Sequence, residues 1–306
     1  MKKDGKDVEG GRCMRESDGK LSFSEKDRGK VWKEHMERIM NAENEWNQNV
    51  EADLVEGPVE RVRREEVVKV MGEMKAGKAA GPSEVNVEMI ATSGEIGIGV
   101  MVELCQGVLD GRGMPDEWAQ SVVVPIFKGK GNAMSCGAYR GVKLLEHAMK
   151  IIEKVLERRL QRMGPKNGIG VGNEEERYTK GNGRAVTSLY EGAKTRVRVG
   201  LELSEEFELK VGVHQGSVLS PLVFTIVVDV VTESVRNGLM SEMLYADDLV
   251  LMSETMEGLR EKFWKWKEAF KSKGLKVNLG KTKVVVKGAE GEVSVRKVDP
   301  CCICGM

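Results

Sequence analysis

The sequence lacks an excess of charge of either sign, and it lacks a long apolar run. Lys and Arg together number 48, as do Asp and Glu, so the formal net charge of zero gives no overall indication of a nucleic-acid partner. The longest apolar run, PLVFTIVVDVV, contains Asp229 and is much shorter than the ~20 residues that span a bilayer. We therefore expect no membrane segment. The 306 residues are enough for one large domain or two smaller ones.

Signals for secretion are also missing. The first residues, MKKDGKDVEG, contain lysines with no apolar stretch after them, so we expect no signal peptide. The spacing of the cysteines does not indicate a disulfide framework, which favours a reducing compartment. We expect an intracellular protein, nuclear or cytoplasmic, that is not secreted. The six cysteines are Cys13, Cys105, Cys136, Cys301, Cys302 and Cys304.

The charge is unevenly distributed along the chain. Residues 41–60 carry six acidic residues and no Lys or Arg, whereas residues 121–166 carry ten Lys or Arg against three Glu, a local charge of +7. Such a block can form an electropositive groove on a protein with no net charge. A solvated helix face gives the same imbalance, and composition alone favours that simpler interpretation.

Helices and hairpins alternate along the sequence without a βαβ rhythm, which indicates an α+β fold. Apolar spacing and capping residues predict helices over residues 30–41, from residue 65, over about 98–110, over 143–163, from Ser220 towards Gly238 and over about 257–273. Alternation predicts a strand over 122–127, a hairpin over 195–213 and a strand near 283–288. The helix over 143–163 is expected to expose Lys143, Lys150, Lys154 and Arg158.

The stretch SEMLYADDLVLMSE, residues 241–254, places Asp247 and Asp248 side by side between two apolar runs. Aspartate is unfavourable in strands, and neighbouring carboxylates repel each other. A surface hairpin turn explains the pair simply. A metal site also explains it, because hard divalent ions prefer oxygen ligands and convert the repulsion into affinity. The stretch by itself favours the turn.

Several stretches around this one occur in a characteristic order: KAAGPSEVNVEMI, VVVPIFKGKGNAMSCGAYRGVKLLEHAMKIIEKVLERRL, LYEGAKTRVRVG, VGVHQGSVLSPLVF, LYADDLVLMSE and GLKVNLGKTK. As an ordered set, covering about residues 30–285, they resemble the reverse transcriptase of non-LTR (LINE-type) retrotransposons. The resemblance implies fingers and palm subdomains and RNA-templated DNA synthesis. It also implies an RNA template, a DNA primer and deoxynucleotide triphosphates as partners, and Mg²⁺ or Mn²⁺ as cofactor. It implies no particular oligomeric state.

The resemblance assigns roles near the reacting groups. Asp247 and Asp248 would hold the catalytic metal ions, with Tyr245 in the same hairpin near the primer end. Gln215 and Gly216 would lie where the nascent base pair passes, since glycine allows a close approach of the backbone. For Gln215, a turn cap is the alternative that the residues alone leave open.

The resemblance also assigns three cations to the triphosphate. Lys128 and Arg140 would contact the incoming nucleotide, one as a point charge and the other as a bidentate fork. Lys281, in the GKTK turn, would lie nearby as a proton donor to pyrophosphate. Solvated loop charges are the alternative for Lys128, Lys130 and Arg140.

The sequence departs from the family at one place that matters for catalysis. The family's palm carries a further aspartate on a central strand between LERRL and LYEGAKT, and here residues 161–188 contain no Asp. A two-metal site would lose a ligand, which weakens transition-state stabilisation. The sheet would also lose the strand beside the YADD hairpin. We therefore expect an incomplete palm sheet and weak or absent polymerase activity, with a non-catalytic nucleic-acid-binding or structural remnant as the alternative.

The predicted organisation has six segments. They are a poorly ordered segment over 1–28, a helical region leading into the fingers over 29–120, fingers over 121–163, a Gly-rich junction where a palm segment is missing over 164–188, the palm with the YADD hairpin over 189–288, and a truncated tail over 289–306. In that tail, Cys301 and Cys304 resemble the beginning of a zinc knuckle. Since no partner ligands follow, we expect a free tail.

Overall fold

The computed structural model describes residues 13–16, 19–43, 60–163, 180–214, 216–236, 241–245, 247–287 and 293–297. The chain divides into two units, Met1–Ala42 with Ala52–Leu222 and Glu43–Glu51 with Val223–Met306. Both contain helices and strands, which confirms the α+β class. In the part of the chain described, no helix is long and apolar enough to cross a membrane.

The first unit begins with a short hairpin and continues through six helices and five further strands of the described residues. In chain order they are β1 (Met14–Arg15), β2 (Leu21–Ser22), α1 (Glu25–Met40), α2 (Arg64–Glu73), α3 (Val87–Thr92), α4 (Gly94–Leu109), β3 (Gln120–Phe127), β4 (Tyr139–Leu144), α5 (His147–Met163), α6 (Lys180–Ser188), β5 (Lys194–Val199), β6 (Glu202–Leu203) and β7 (Phe207–Glu208).

Strand β3 lies at the centre of the sheet of the first unit. Through Val123 it pairs antiparallel with β4, opposite Lys143, and parallel with β5, opposite Val197. β5 pairs antiparallel with β7, which confirms the hairpin predicted there, although its second strand has only two residues. β5 is hydrogen-bonded to β3, and residues 189–222 belong to the first unit. The palm segment over 189–288 stays a prediction.

Helix α1 packs on this sheet through large apolar side chains. The rings of Trp32 and Tyr139 meet edge to face with centroids 5.1 Å apart, and Met14 is buried in the same cluster. The side chain of Ser24 accepts a hydrogen bond from the N–H of Asp27 and caps the helix. The predicted segment over 1–28 lies partly outside the described residues, and poor order there stays a prediction.

Helix α5 packs against α2 and α4. The apolar spacing predicts six inward residues for the segment 143–163. Five of them are buried, and Leu160 is only partly buried; the five are Leu145, Met149, Ile152, Val155 and Leu156. The prediction was wrong at its start, because residues 139–144 form β4 rather than the beginning of the helix. Lys143 therefore lies on a strand and is only 4% exposed, instead of on a solvated helix face.

Two predicted segments lie partly or wholly outside the described residues. Residues 164–179 of the predicted junction over 164–188 are not described, whereas Lys180–Ser188 form α6. The predicted tail is described only at residues 293–297, so its cysteines lie outside the described residues.

The second unit consists of hairpins and helices in the order that the sequence predicts as far as Lys287, whereas the strand Val293–Lys297 lies in the segment predicted as a free tail. Helix α7 (Ser220–Thr232) begins in the first unit and ends in the second, and it is followed by β8 (Glu242–Tyr245), β9 (Asp248–Leu251), α8 (Met256–Ser272), β10 (Lys283–Lys287) and β11 (Val293–Lys297). The side chain of Thr255 caps α8 by accepting from the N–H of Gly258, and Trp266 of α8 is buried. β10 and β11 pair antiparallel.

Candidate active site

The adjacent aspartates lie at the tip of a tight antiparallel hairpin. Tyr245, the last residue of β8, faces Asp248, the first residue of β9, and Asp247 lies in the turn. Both aspartates are exposed, and Tyr245 is 84% exposed. The hairpin thus presents two adjacent carboxylates to solvent. This geometry is compatible both with an ordinary surface turn and with part of a cation site.

The hairpin has no strand neighbour in the described residues. β8 and β9 form a two-stranded sheet of their own, and Met243 and Val250 are exposed on it. An unpaired strand edge offers backbone groups for pairing with a further strand. The loss of a strand beside this hairpin stays a prediction, because residues 164–179 lie outside the described residues.

The two carboxylates do not form a complete metal site with the other described residues. Carboxylate oxygens suit Mg²⁺, but a two-metal site needs several of them. Across the described ranges, no group of three or more His, Cys, Asp or Glu side chains could hold a metal ion. Asp229, on α7, forms an ion pair with Arg236 at 2.7 Å between Oδ1 and Nη2. The residues present therefore fit a divalent ion only in part.

Two of the predicted triphosphate ligands lie close together on the sheet of the first unit. Arg140 of β4 faces Ile126 of β3, and Lys128 follows two positions later, so the alternation places both cations on the same side. Both are exposed. The Lys128 Nζ donates to the carbonyl of Gly137 at 2.8 Å, which leaves its remaining donors for an anion.

Gly216 occupies a conformation that a larger residue would not tolerate. Its φ is +108°, and a Cβ there would lie 2.9 Å from the carbonyl oxygen of Lys143. The close approach of this loop to β4 within the protein is therefore sufficient to explain a glycine at position 216. Contact of Gly216 with a base pair stays a prediction. Gln215 lies outside the described residues.

Lys281 lies in the turn that leads into β10. Its N–H donates to the carbonyl of Asn278 at 3.1 Å, and the hydroxyl of Thr282 donates to the same carbonyl at 2.9 Å. Its side chain is exposed. Of the predicted site residues, Lys128, Arg140 and Gly216 belong to the first unit, and Tyr245, Asp247, Asp248 and Lys281 belong to the second.

A buried group of ionisable side chains beneath the loop of Gly216 escaped the sequence analysis. Lys143, Glu153 and His214 are at most 6% exposed. Burial lowers the pKa of Lys143 to about 7 and that of His214 to about 3, and it raises the pKa of Glu153. The available signal was that Glu153 directly follows Ile152 on the apolar side of α5. Its partners are far away in sequence, so periodicity could not identify them.

Comparison with known proteins identifies the segment that carries these motifs. Residues 173–301 match the family described as reverse transcriptase (RNA-dependent DNA polymerase). The retrovirus-related Pol polyprotein from type-2 retrotransposable element R2DM of Drosophila melanogaster is 36% identical over 104 residues. Residues 173–301 are therefore similar to reverse transcriptases, and part of the chain is similar to a retrotransposon polyprotein. This confirms the resemblance that the ordered motifs predicted.

The matches cover only part of this chain and a small part of the relative. The similarity to the R2DM polyprotein covers 31% of this chain and 10% of that polyprotein, so the chain spans about a tenth of the relative's length. Reverse transcriptases generally bind nucleic-acid templates and nucleotides and use divalent metal ions. The family match begins after Lys128 and Arg140, so it does not include them.

Proposed function

We propose that this chain derives from the RNA-directed DNA polymerase of a non-LTR retrotransposon and that its catalysis is impaired. The observation that carries the proposal is the exposed pair Asp247 and Asp248 on a tight hairpin, within a segment that matches the reverse transcriptase family. The impairment follows from the sequence, because residues 161–188 contain no aspartate to complete the ligand set.

The hairpin residues receive roles at the reacting phosphate. Asp247 and Asp248 would hold Mg²⁺, which when bound would supply stabilisation of the charge that develops on the phosphate oxygens. Tyr245 lies beside them at the primer end. Lys281 is exposed in its turn and can donate a proton to pyrophosphate.

The first unit supplies groups that bind the nucleotide. Lys128 and Arg140, on the same side of the β3–β4 pair, bind the triphosphate of the incoming deoxynucleotide. Gln215 and Gly216 contact the nascent base pair. The template is RNA and the primer is DNA.

A second function is favoured by the incomplete ligand set. Because no third metal-binding side chain joins the aspartates among the residues described, the chain could retain nucleic-acid binding without chemistry. In that case, the two carboxylates form an ordinary exposed turn.

Primer extension distinguishes these functions. A DNA primer on an RNA template is incubated with deoxynucleotides and Mg²⁺, then Mn²⁺, and template binding is measured in parallel at several salt concentrations. The variant Asp247→Ala removes the proposed ligand, and Asp229→Ala is the matched control, because Asp229 is an exposed aspartate outside the hairpin.

We expect weak or absent incorporation together with salt-dependent template binding. Incorporation at ordinary rates that is lost in Asp247→Ala but kept in Asp229→Ala would establish the polymerase and refute the impairment. Neither incorporation nor binding would refute both proposed functions.

A further inference from the structure

Two loops of the first unit, within the stretches KAAGPSEVNVEMI and VGVHQGSVLSPLVF, are hydrogen-bonded to buried polar side chains at the same helix, α5. Glu146, which immediately precedes α5, and His147 and Glu153 within it are 2%, 1% and 0% exposed. Burying such groups is unfavourable unless they form hydrogen bonds. Their partners lie in the loop 79–87, between α2 and α3, and in the loop 214–220, before α7.

The first loop lies on the N-terminal turn of α5. The N–H of Ser83 donates to Glu146 Oε1 at 2.8 Å, and the Ser83 hydroxyl donates to Oε2. The N–H of Val87 donates to His147 Nδ1 at 2.9 Å. His147 Nε2 therefore carries the ring proton and donates to the carbonyl of Ala79 at 3.0 Å. Four polar contacts thus come from two adjacent side chains.

The second loop is held two turns further along α5. The N–H of Val218 donates to Glu153 Oε2 at 2.8 Å. Burial raises the pKa of Glu153, and the hydrogen bond from the N–H of Val218 opposes that rise. The Ser217 hydroxyl oxygen accepts from the N–H groups of Leu219 and Ser220, both at 3.2 Å. The carboxylate of Glu153 therefore connects this turn to α5 through the N–H of Val218.

The same loop is closed from its other side by its own backbone. The carbonyl of His214 accepts from the N–H of Ser217 at 3.0 Å and from the hydroxyl of Ser220 at 2.9 Å. Because that hydroxyl donates to His214, the Tyr190 hydroxyl donates to Ser220 Oγ at 3.1 Å. Gly216 lies between these fixed points, against the carbonyl of Lys143. Its position is thus set by contacts on three sides.

We propose that Glu153 is a positioning residue, which fastens the loop 214–220 to α5 and so holds Gly216 in place for the incoming deoxynucleotide. Glu146 holds the loop 79–87 in the same way. The nucleotide part of this inference rests on the proposed function, whereas the fastening of the loop does not. Glu153 acts through the loop backbone and has no contact with substrate.

Backbone hydrogen exchange measures the fastening directly. Glu153→Leu removes the acceptor of the Val218 N–H, Glu153→Gln keeps an acceptor without the charge, and Glu146→Leu removes the anchor of the other loop. Glu157→Leu is the matched control, because Glu157 is a partly exposed residue of α5 whose side chain accepts from Gln161. Thermal unfolding shows whether each variant folds.

We expect Glu153→Leu to accelerate exchange across residues 216–220 about tenfold or more, the loss of one hydrogen bond to a charged group, with residues 79–87 unchanged. Glu146→Leu gives the reverse pattern, and Glu153→Gln restores protection. Equal acceleration in both loops would show general loosening and overturn the inference. Unchanged exchange in Glu153→Leu, or no restoration by Gln, would also overturn it.

Nucleotide binding tests the functional part without turnover. With a dideoxy-terminated primer, we expect the dissociation constant of the complementary deoxynucleotide to rise about tenfold in Glu153→Leu and to recover in Glu153→Gln. An unchanged constant beside accelerated exchange would overturn the positioning role. Absence of nucleotide binding by the unmodified chain would instead count against the proposed function, and the exchange result would still decide the fastening.

Discussion

Two segments of this chain have the same charge composition, and the structure uses them differently. Residues 121–166 and residues 256–287 each carry ten Lys or Arg against three Glu. In the described part of the first segment, several cations are buried or paired with carboxylates. In the second segment, most lysines stay exposed. The comparison shows that neighbouring elements, rather than local composition, decide whether a basic segment becomes a basic surface.

The first segment meets an acidic partner. Arg159 is 7% exposed, and its Nη2 lies 2.7 Å from Oε2 of Glu66 on α2. Arg158 pairs with Glu73 at the other end of that helix. Lys143 is buried on β4. These cations therefore do not line the electropositive groove that the sequence made possible.

The second segment has few internal partners for its charges. Lys265 pairs with Glu261 at 2.8 Å, and the Lys262 Nζ donates to a backbone carbonyl. The Lys267 Nζ lies 4.2 Å from the ring centroid of Trp264. Among the described residues, the lysines of this segment without a described carboxylate at ion-pair distance are Lys262, Lys267, Lys271, Lys273, Lys276, Lys281, Lys283 and Lys287.

The largest contrast should be in stability. Arg159→Met leaves the carboxylate of Glu66 without its buried partner, and we expect the free energy of unfolding to fall by about 3–5 kcal/mol. Lys276→Met, in the second segment, should change it by less than about 0.5 kcal/mol, because Lys276 is exposed. Denaturant unfolding of both variants checks this. A similar loss in both would remove the distinction between the segments.

The next contrast is in the pH dependence of stability. Burial lowers the pKa of Lys143 to about 7 in the folded chain, whereas the unfolded chain keeps that proton until about pH 10.4. Stability should therefore rise with pH between these values, by at most about 1.4 kcal/mol per pH unit, and Lys143→Met should lose that slope. Lys276→Met should keep it.

Other ionisable groups near Lys143 must be controlled in that experiment. Glu153 faces it, and because burial raises the pKa of Glu153, its contribution to stability declines as pH rises. The comparison is therefore made in a Glu153→Gln background. Burial lowers the pKa of His214 to about 3, and the unfolded chain loses that proton near pH 6.5, so His214 contributes little slope above pH 7. Burial raises the pKa of Tyr190, whereas the unfolded chain loses that proton near pH 10, so the slope is measured below about pH 9. A slope unchanged by Lys143→Met would show that this lysine is solvated.

The smallest contrast is in the salt dependence of nucleic-acid binding. Replacing Lys271 and Lys276 by Gln should reduce the slope of log affinity against log salt by about 0.7 for each phosphate contact to a single strand. Replacing Lys154 and Arg158 in the first segment should leave the slope unchanged. Fluorescence anisotropy with a single-stranded RNA gives both slopes. A reduced slope only for the Lys154 and Arg158 variants would show that the nucleic-acid-binding surface lies in residues 121–166 instead.

The sequence predicted the elements whose formation depends on local pattern. Apolar spacing was sufficient for α2 and for α8, and the turn residues were sufficient for the hairpin at Asp247 and Asp248. These features depend on residues a few positions apart. The candidate carboxylate pair could be identified for the same reason.

The features that it missed depend on distant neighbours. The burial of Lys143 results from pairing with Val123 of β3 and from the loop of Gly216, which are both distant in sequence. The local pattern does not reveal these neighbours, so Lys143 was wrongly assigned to an exposed helix face. Glu153 binds a backbone group 65 positions away. Met14 is buried by the cluster around Trp32 and Tyr139, and no pattern within residues 1–28 indicates that contact.

The central claim is that the hairpin provides only part of a metal site, and Mn²⁺ binding tests it most directly. Free Mn²⁺ is titrated by electron paramagnetic resonance with the unmodified chain, Asp247→Asn and the control Asp229→Asn. The account predicts weak binding, with a dissociation constant of roughly 10⁻³ M, lost in Asp247→Asn and kept in Asp229→Asn. Binding about a hundredfold tighter, or binding that survives Asp247→Asn, would contradict it.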